Sequence, residues 1–409
     1  MSHASSAFAT GFSPNPDFDF DLRVVLGSAV ERAADPGEVL AATAAVHKGD
    51  HPGWFAAWRD LGRRAKAVGD TASAAGHRVS AAEAYLRAAN YFGVAVNAVS
   101  GLKDESELLP AFQATREAWE AFVAHTSANV ETVAIPYEGT TLPGWFFRAP
   151  AESAQGDSAP TLVTVNGSDG SLAALWAASG APALRRGYNV LLFDGPGQQS
   201  MLFERGVPFR PDWEKVLTPV YDAVAGYDGV DASRIAVYGI SQAGYWVSRA
   251  LAFEHRFAAG IVDPGVVDVS ASWTAHMPKN MIRLLDEGED EKFDRDMAMG
   301  MKFSTELSST WQFRARPYGT TGYAETLEAV RQYTVEEVAA QITTPLLITS
   351  PEDEQFWPGQ PERLAELTSG VSTLLPFTAA EGANYHCEPL ARGLTAQCMF
   401  DWLDERVGR

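Results

Sequence analysis

Six residues, Gly239-Ile240-Ser241-Gln242-Ala243-Gly244, lie between a short apolar run at 234–238 and a helical pattern at 245–253. A serine at the apex of a sharp turn between a strand and a helix is the layout of a nucleophile elbow, which lifts the hydroxyl out of the sheet. Small residues are needed two positions to either side of Ser241, because strand and helix pass close together there. Gly239 meets that requirement and Ala243 nearly does. The alternative is a serine that merely falls in a glycine-rich turn.

Composition limits the possible functions of the 409-residue chain. Hydrophobic residues make up 46% and charged residues 21%, as in ordinary globular proteins. The chain has 32 Lys and Arg against 52 Asp and Glu, a formal net charge of −20. We therefore expect no nucleic acid and no anionic membrane as a partner, because phosphate binding needs clustered basic residues. The two cysteines, Cys387 and Cys398, form no disulfide framework.

The N-terminus carries no targeting pattern. Met1 to Phe18 contains no Lys or Arg and no apolar core segment, so we expect no signal peptide, a flexible arm over 1–18 and a cytoplasmic location. No stretch reaches the roughly 18 uninterrupted apolar residues of a membrane helix.

The pattern changes once along the chain. Residues 19–128 have helical spacing with few glycines and prolines, which predicts a helical N-terminal domain that serves as a lid or dimerisation unit. Residues 129–409 alternate short apolar runs with helical stretches after a leading hairpin. This alternation predicts a mostly parallel sheet with helices on both faces and an antiparallel edge. We expect a helical insertion at about 265–343, a solvated turn over its acidic stretch 286–296, and a polar surface loop at 151–160.

A base and an acid follow the serine in the chain. Three carboxylates, Glu352, Asp353 and Glu354, stand directly after the apolar run 345–350, and His386 lies between the last predicted strand and the last predicted helix. A serine needs a base within hydrogen-bond reach and an acid that orients the base. The order Ser, acid, His is the order in α/β-hydrolases. Asp353 has the usual offset from the strand, so the acid is Asp353 or Glu354.

Backbone N–H groups must stabilise the oxyanion. We expect one from Gln242, directly after the nucleophile, and one from Ser168 in the loop after the first parallel strand. Gly167 and Asp169 of that loop are predicted to line the substrate pocket, since glycine lets the backbone approach a substrate. The loop also carries an N-cap candidate for the following helix, Ser171.

The insertion is rich in methionine and aromatic residues, of which Trp273 and Met277 are predicted to line the pocket as an adaptable apolar wall. Plain packing is the alternative for each of them. No cofactor or metal is expected. The stretch 194–198 lacks the Gly-Lys-Ser/Thr ending of a phosphate loop, and Cys387 beside His386 has no spaced partners for zinc.

Several motifs together resemble one branch of the α/β-hydrolase superfamily, with 2,6-dihydroxypseudooxynicotine hydrolase, polyketide-shortening carbon–carbon hydrolases and FrsA-like esterases. They are Leu86-Arg87-Ala88-Ala89-Asn90-Tyr91-Phe92, Ile135-Pro136-Tyr137-Glu138-Gly139, Asp194-Gly195-Pro196-Gly197-Gln198, the Ser241 elbow, Phe356-Trp357-Pro358-Gly359-Gln360 and Ala383-Asn384-Tyr385-His386-Cys387. The resemblance implies an α/β-hydrolase fold with an N-terminal helical domain, and a possible homodimer.

Residue by residue, the resemblance makes Ser241 the nucleophile and His386 the base. It leaves the acid open, because counting from the strand gives Asp353 and counting back from Phe356 gives Glu354. The chain also departs from the branch, since many relatives carry a Gly-Gly pair where this chain has Asn166-Gly167-Ser168. Oxyanion geometry and substrate polarity are the properties that this departure affects.

These residues predict a serine hydrolase that acts on a small-molecule carbonyl compound in an apolar pocket. We favour carbon–carbon bond hydrolysis, a retro-Claisen cleavage of a ketone or polyketide-like compound. The alternatives are a carboxylesterase or thioesterase and an acyl-transferring cyclase. An alternative of another class is a receptor that keeps the fold and binds a ligand without turnover.

Overall fold

The computed structural model describes residues 11–150 and 158–408. Its N-terminal part is helical, as expected. The helices are α1 (Pro16–Gly27), α2 (Pro36–Thr43), α3 (His51–Ala74), α4 (Arg78–Ala98) and α5 (Leu108–His125).

Helix α1 begins inside the segment that was predicted to be a flexible arm. The Asn15 side chain accepts hydrogen bonds from the backbone N–H groups of Asp17 and Phe18, at 2.9 and 3.1 Å, and Pro16 occupies the first turn. Asparagine at the N-cap and proline in the first turn both favour a helix start. The predicted boundary at residue 18 is therefore wrong. Residues 1–10 of the predicted arm, and 151–157 of the predicted loop, lie outside the described residues.

One eight-stranded sheet forms the centre of the fold, in the order β1-β2-β4-β3-β5-β6-β7-β8. Strand β2 runs antiparallel to β1 and to β4, and the other neighbours are parallel. The inner strands β3, β4, β6 and β7 are buried throughout, as expected for parallel strands covered on both faces. The strands are β1 (Val130–Tyr137), β2 (Thr140–Phe147), β3 (Ala159–Val165), β4 (Asn189–Phe193), β5 (Val230–Ile240), β6 (Ala259–Asp263), β7 (Leu346–Pro351) and β8 (Ser372–Phe377).

The strand order reverses between β3 and β5, because β4 lies on one side of β3 and β5 on the other. The loops that leave two such strands move apart and open a crevice at their carboxyl ends, where ligands bind in open α/β sheets. Val165 at the end of β3 pairs with Gly239 of β5. The loop with Gly167 and the turn with Ser241 therefore flank this crevice.

Helices cover both faces of the sheet and its carboxyl end. The predicted Ser171 N-cap is present, since its hydroxyl accepts the Ala174 N–H at 3.1 Å. In the core region the helices are α6 (Leu172–Leu175), α7 (Ala181–Arg185) after a π-turn at Trp176–Gly180, α8 (Gln199–Phe203), α9 (Glu214–Ala225), α10 (Ala243–Leu251), α16 (Gln360–Leu367) and α17 (Arg392–Val407).

Between β6 and β7 lies the helical insertion. Its helices are α11 (Ala271–Thr274), α12 (Lys279–Asp286), α13 (Asp290–Phe303), α14 (Thr305–Ala315) and α15 (Tyr323–Val330). The acidic stretch 286–296 is mostly helical, which corrects the predicted turn. Asp290 and Glu291 lie in the first turn of α13, where the helix dipole favours negative charge.

Two hydrophobic cores hold these layers together. One core joins the N-terminal helices to one face of the sheet, with Trp58 and Trp119 packed in the same cluster as Leu162 and Phe400. The other core joins α9 and α10 to the opposite face. Because the N-terminal helices share a core with the sheet, they form part of its packing. Within the described ranges, no helix is both long and apolar enough to cross a membrane.

Helix α1 also packs on the loop that carries His386. A Cβ atom on Gly27 would lie 1.6 Å from the Pro389 carbonyl oxygen, so this contact requires glycine. The Arg23 guanidinium lies 4.9 Å from the centre of the Tyr385 ring. The start of the described chain thus meets its last loop.

Candidate active site

Ser241 occupies the turn between β5 and α10 in a strained backbone conformation. Its φ angle is 59°, in the left-handed region that non-glycine residues rarely adopt. The Ser241 N–H donates to the Asp263 carbonyl at 2.6 Å, which ties the turn to the end of β6. This geometry is that of the expected nucleophile elbow.

Two glycines make the sharp turn possible. A Cβ on Gly239 would lie 2.6 Å from the Ala243 carbonyl oxygen, and a Cβ on Gly244 would lie 2.0 Å from the Pro264 carbonyl oxygen. The second close approach therefore falls one residue later than expected from the sequence. Ala243 is accommodated because the helix presses on the neighbouring strand at Gly244.

His386 links the serine to a carboxylate. Its Nε2 lies 2.9 Å from Ser241 Oγ, and its Nδ1 lies 2.8 and 2.9 Å from the two Glu354 oxygens. A carboxylate can only accept at Nδ1, so the proton of a neutral imidazole belongs there and Nε2 is free to accept from the serine hydroxyl. His386 and Glu354 are 3% and 7% exposed, which keeps water from competing for these bonds.

The structure distinguishes the two candidate acids by their contacts. Glu354 is buried against His386, whereas the neighbouring Asp353 is exposed and accepts from Asn384 Nδ2 at 2.5 Å. The Asp353 N–H also donates to the Asn384 carbonyl at 2.7 Å. Among the described residues, Glu354 is the acid that contacts the imidazole. Asp353 anchors the loop that carries Glu354.

Glu354 stays ionised despite its position. Burial alone would raise its pKa, but the His386 charge and hydrogen bond, together with the backbone N–H groups of Phe356 and Trp357, hold the pKa of the carboxyl below its ordinary value. The rings of Phe356 and Trp357 lie 4.7 and 5.6 Å from the imidazole, and that of Phe20 lies 6.2 Å away. Aromatic rings thus surround the imidazole.

The loop after β3 approaches the serine closely. A Cβ on Gly167 would lie 2.9 Å from Ser241 Cβ, so only glycine fits there. Asn166 spans the loop through its side chain, which donates to the Ser171 carbonyl at 3.2 Å and accepts the Gly167 N–H at 3.0 Å. Gln198 Nε2 donates to the Asn166 and Gly167 carbonyls at 2.7 and 3.0 Å. These amide side chains fix the loop beside Ser241.

The sequence analysis assigned no role to Gln198, because it compared the stretch 194–198 only with a phosphate loop and with the family motif. The Asp-Gly-Pro-Gly-Gln motif was the signal in the sequence that could have pointed to it.

Gln242 and Ser168 both line the cavity above the serine. Their backbone N–H groups have no acceptor in the part of the chain that the structure describes. Both groups can therefore donate to an oxyanion.

A buried ionic cluster lies behind the serine. Arg392 of α17 donates through Nη1 to Asp263 at 3.0 Å and to the Cys387 carbonyl at 2.6 Å, and through Nη2 to Tyr238 Oη at 3.2 Å. Burial opposes the ionisation of Asp263, but the Arg392 charge holds the pKa of that carboxyl below its ordinary value. One arginine thus joins β5, β6 and the His386 loop. No local sequence motif predicts this role.

The serine and histidine open into a cavity of about 290 Å³. Gly167, Asp169 and Trp273, which the sequence predicts to be pocket residues, line this cavity. Met277 does not contact it; it packs on the insertion's own cluster, with Met281 and Leu284. The spacing of apolar residues along a helix does not show whether a side chain faces a cavity or a core. The other aromatic lining residues are Phe18, Phe20, Trp54, Phe203, Phe313, Phe356 and Trp357.

Within the described ranges, no group of three or more His, Cys, Asp or Glu side chains is arranged to hold a metal ion. Cys387 is buried and donates to the Asp263 carbonyl at 3.2 Å, and burial raises the pKa of its thiol. The thiol is therefore a structural donor and a poor nucleophile.

Comparison with known proteins agrees with this architecture. No family model matches the chain. The chain is 30% identical over 416 residues to hydrolase LUC6 of Fusarium sp, with 97% of each chain covered. It is 32% identical over 292 residues to the α/β-hydrolase pydG of Acremonium sp, covering 69% of this chain and 68% of that one. It is 28% identical over 402 residues to 20-hydroxy-prefusarin hydrolase FUS2 of Gibberella moniliformis, covering 95% and 96%.

The fold also matches the crystal structure of 2,6-dihydroxy-pseudo-oxynicotine hydrolase, with a TM-score of 0.70 at 18% identity over 93% of this chain and 95% of that chain. The helical N-terminal region is thus part of the shared fold. The chain belongs to the α/β-hydrolase superfamily, and it is a hydrolase.

Proposed function

We propose that the protein is a serine hydrolase of small-molecule carbonyl compounds, with Ser241 as nucleophile, His386 as base and Glu354 as the acid that orients it. The contact of 2.9 Å between Ser241 Oγ and His386 Nε2, at the wall of the aromatic cavity, carries this proposal. His386 accepts the serine proton, and the Glu354 carboxylate stabilises the resulting imidazolium. The N–H groups of Gln242 and Ser168 stabilise the oxyanion.

Within this class we favour hydrolysis of a carbon–carbon bond next to a ketone. Ser241 attacks one carbonyl carbon, the oxyanion collapses, and the leaving fragment departs as an enolate. A cavity with aromatic walls suits a flat or conjugated substrate and excludes competing water. The relative FUS2 is named for 20-hydroxy-prefusarin, a small organic molecule, which supports a small-molecule substrate here.

The proposal is tested by comparing the wild-type protein with Ser241→Ala and with Ser80→Ala, which removes an exposed hydroxyl on α4. A panel of aryl esters, thioesters and β-diketones is incubated with each protein, and the products are identified by mass spectrometry. We expect Ser241→Ala to lose roughly 10³-fold or more in kcat, since serine removal eliminates the covalent path. Ser80→Ala should retain full activity.

Labelling with a fluorophosphonate separates this proposal from the receptor alternative. Serine hydrolases react covalently with such probes, whereas a protein that only binds ligands does not. We expect one label on the peptide that contains Ser241. Tight ligand binding without labelling or turnover would favour a receptor, and turnover of esters alone would favour an esterase.

A further inference from the structure

Two carboxyl groups from different parts of the chain line the reaction cavity. Asp21 belongs to α1, and Asp169 belongs to the loop after β3. The Asp169 carboxylate accepts from Ser168 Oγ at 3.2 Å. The nearby Arg314 donates instead to the Ser272 hydroxyl at 2.7 Å and lies 4.4 Å over the Trp273 ring. Within the part of the chain that the structure describes, neither carboxyl forms an ion pair, and Arg314 acts on Asp169 only through its charge.

The surroundings favour the protonated state of one of them. Burial raises the pKa of Asp21 to about 8, and the charges of Asp169 and Asp17 add to this effect. Desolvation by the surrounding walls also raises the pKa of Asp169, although its side chain is exposed, while the Ser168 hydrogen bond and the His386 charge oppose the shift. Two carboxyls in such proximity lose their protons in turn. Asp169 ionises first, and Asp21 holds its proton at neutral pH.

Other charged groups on the elements around the cavity contribute to this balance. Burial and the Glu306 charge raise the pKa of the Asp17 carboxyl, and the His51 charge opposes this shift. The charged or titratable residues that line the cavity beside Asp21 are Asp17 on α1, His51 on α3, Asp169 after β3, Glu306 and Arg314 on α14, Arg316 after α14, and His386.

We propose that Asp21 is the acid that protonates the leaving enolate in carbon–carbon bond hydrolysis, and that Asp169 shares and restores its proton. This inference rests on the proposed function. In ketone cleavage the negative charge develops on an oxygen two atoms from the breaking bond. His386 Nε2 contacts Ser241 Oγ, the atom that attacks the carbonyl carbon. Asp21 lines the same cavity and can supply a second proton there.

The protons balance over one turnover. Ser241 Oγ bonds to the carbonyl carbon and its proton moves to His386 Nε2. The carbon–carbon bond breaks, its electron pair forms the enolate, and the enolate oxygen takes the Asp21 proton. The His386 imidazolium then returns its proton to the Asp21–Asp169 carboxylate pair through cavity water. Neutral His386 activates a water molecule, the acyl–serine ester is hydrolysed, and the proton returns to Ser241. The released enol becomes the ketone in solution.

The test compares Asp21→Asn with the wild-type protein on two substrates that share one acyl group. A 4-nitrophenyl ester leaves without needing a proton, whereas a β-diketone needs one. Below the pKa of Asp21 we expect Asp21→Asn to lower kcat for the β-diketone about 100-fold, and for the ester by less than about threefold. Glu337→Gln, a change of an exposed carboxyl outside the cavity lining, should leave the rates on both substrates unchanged.

The pH profile provides a second readout that folding defects do not imitate. The wild-type rate on the β-diketone should fall above pH about 8, as Asp21 ionises. In Asp169→Asn this fall should move to lower pH, since the neighbouring charge that raises the pKa of Asp21 is gone. The ester profile should lack this fall in both proteins.

Equal loss on both substrates in Asp21→Asn, or no loss on the β-diketone, would overturn the proposal. If the wild-type protein hydrolyses only the ester, the inference fails while serine catalysis stands. If it hydrolyses neither and Ser241 takes no label, the proposed function itself fails.

Discussion

Glu354 and Asp353 are neighbours in sequence with opposite surroundings. Glu354 points inward to His386, and Asp353 points outward to Asn384. The Glu354 N–H donates to the Pro351 carbonyl at 3.2 Å, which closes the turn that sets these directions. A single position in a tight turn thus determines which carboxylate reaches the imidazole.

Glu354→Gln should lower kcat by roughly 10²- to 10⁴-fold with a small change in KM. The amide lacks the charge that stabilises the imidazolium, and it can present a donor to Nδ1. The matched variant Asp353→Asn should lose less than about tenfold, since Asn384 keeps its backbone bond to residue 353. Steady-state kinetics on a 4-nitrophenyl ester measures both. Similar losses in the two variants would contradict the assignment of Glu354.

Asp21 gives a second prediction at this scale, in stability. A carboxyl with a raised pKa supports the folded state fully below its ordinary pKa of about 4. That support decreases as pH rises, and it is lost above the folded-state pKa of about 8. Asp21→Asn removes the titration, so the variant should have a higher Tm than wild type at about pH 9 and a similar Tm at about pH 4.

Thermal scans of the two proteins across this range measure the difference. Because Asp21 is partly open to cavity water, we expect a gain of about 1–3 kcal/mol at most. A Tm difference that stays constant with pH would show that Asp21 titrates normally.

At the residue scale, the sequence predicted Ser241 and His386 through their order and their places after predicted strands. It left the acid open, because the direction of a side chain in a turn depends on backbone hydrogen bonds that no local pattern encodes. It also assigned Met277 to the pocket, since apolar residues in an insertion face either a cavity or a core with the same spacing.

At the scale of elements, the elbow depends on close contact between two backbones. Gly244→Ala should destabilise the protein by more than about 2 kcal/mol, because the new methyl group would meet a backbone oxygen that cannot move aside. Gly300→Ala is the matched control. Gly300 lies in α13 with open space at its Cβ, and alanine there should stabilise by about 0.5–1 kcal/mol.

Denaturant unfolding and labelling of Ser241 by a fluorophosphonate together measure these effects. We expect Gly244→Ala to lose labelling in the folded protein as well, since a shifted α10 displaces the serine. If Gly244→Ala were as stable and as reactive as Gly300→Ala, the close approach at residue 244 would not matter for the elbow.

The sheet and most helices were predictable from apolar runs and helical spacing, since each element buries one face. The start of α1 was not, because Asn and Pro are as common in loose segments as in helix caps. The Arg392 cluster could not be predicted from the sequence either. Its partners come from two separate strands and a loop, and only their meeting in the fold gives the buried arginine its role.

At the scale of the whole molecule, the cavity has walls from three parts of the chain: the N-terminal helices, the sheet loops and the insertion. Ion pairs join these parts. Arg116 of α5 pairs with Asp194 after β4, and Arg316 after α14 pairs with Glu105 before α5 at 2.6 Å. Arg316 lines the cavity, so its pair with Glu105 joins the insertion to the N-terminal helices at the cavity wall.

Glu105→Arg should loosen this contact and speed the labelling of Ser241 by a bulky fluorophosphonate about 2- to 5-fold, as expected for a half-exposed ion pair. Labelling by a small fluorophosphonate should change less. The double variant Glu105→Arg/Arg316→Glu restores opposite charges and should recover the wild-type ratio of the two rates.

Arg363→Met, which removes two exposed ion pairs outside the cavity lining, is the control and should leave the ratio unchanged. A double variant that labels like Glu105→Arg alone would show that the pair does not limit access.

The contact of α1 with the His386 loop has a consequence for synthesis of the protein. A ribosome makes Gly27 long before Pro389, yet the two backbones touch in the folded chain. Chains fold from the N-terminus as they emerge, so α1 must wait for its docking surface. A nascent chain that stops before residue 386 lacks both the imidazole and this docking surface, so the proposed hydrolysis requires synthesis to pass this loop.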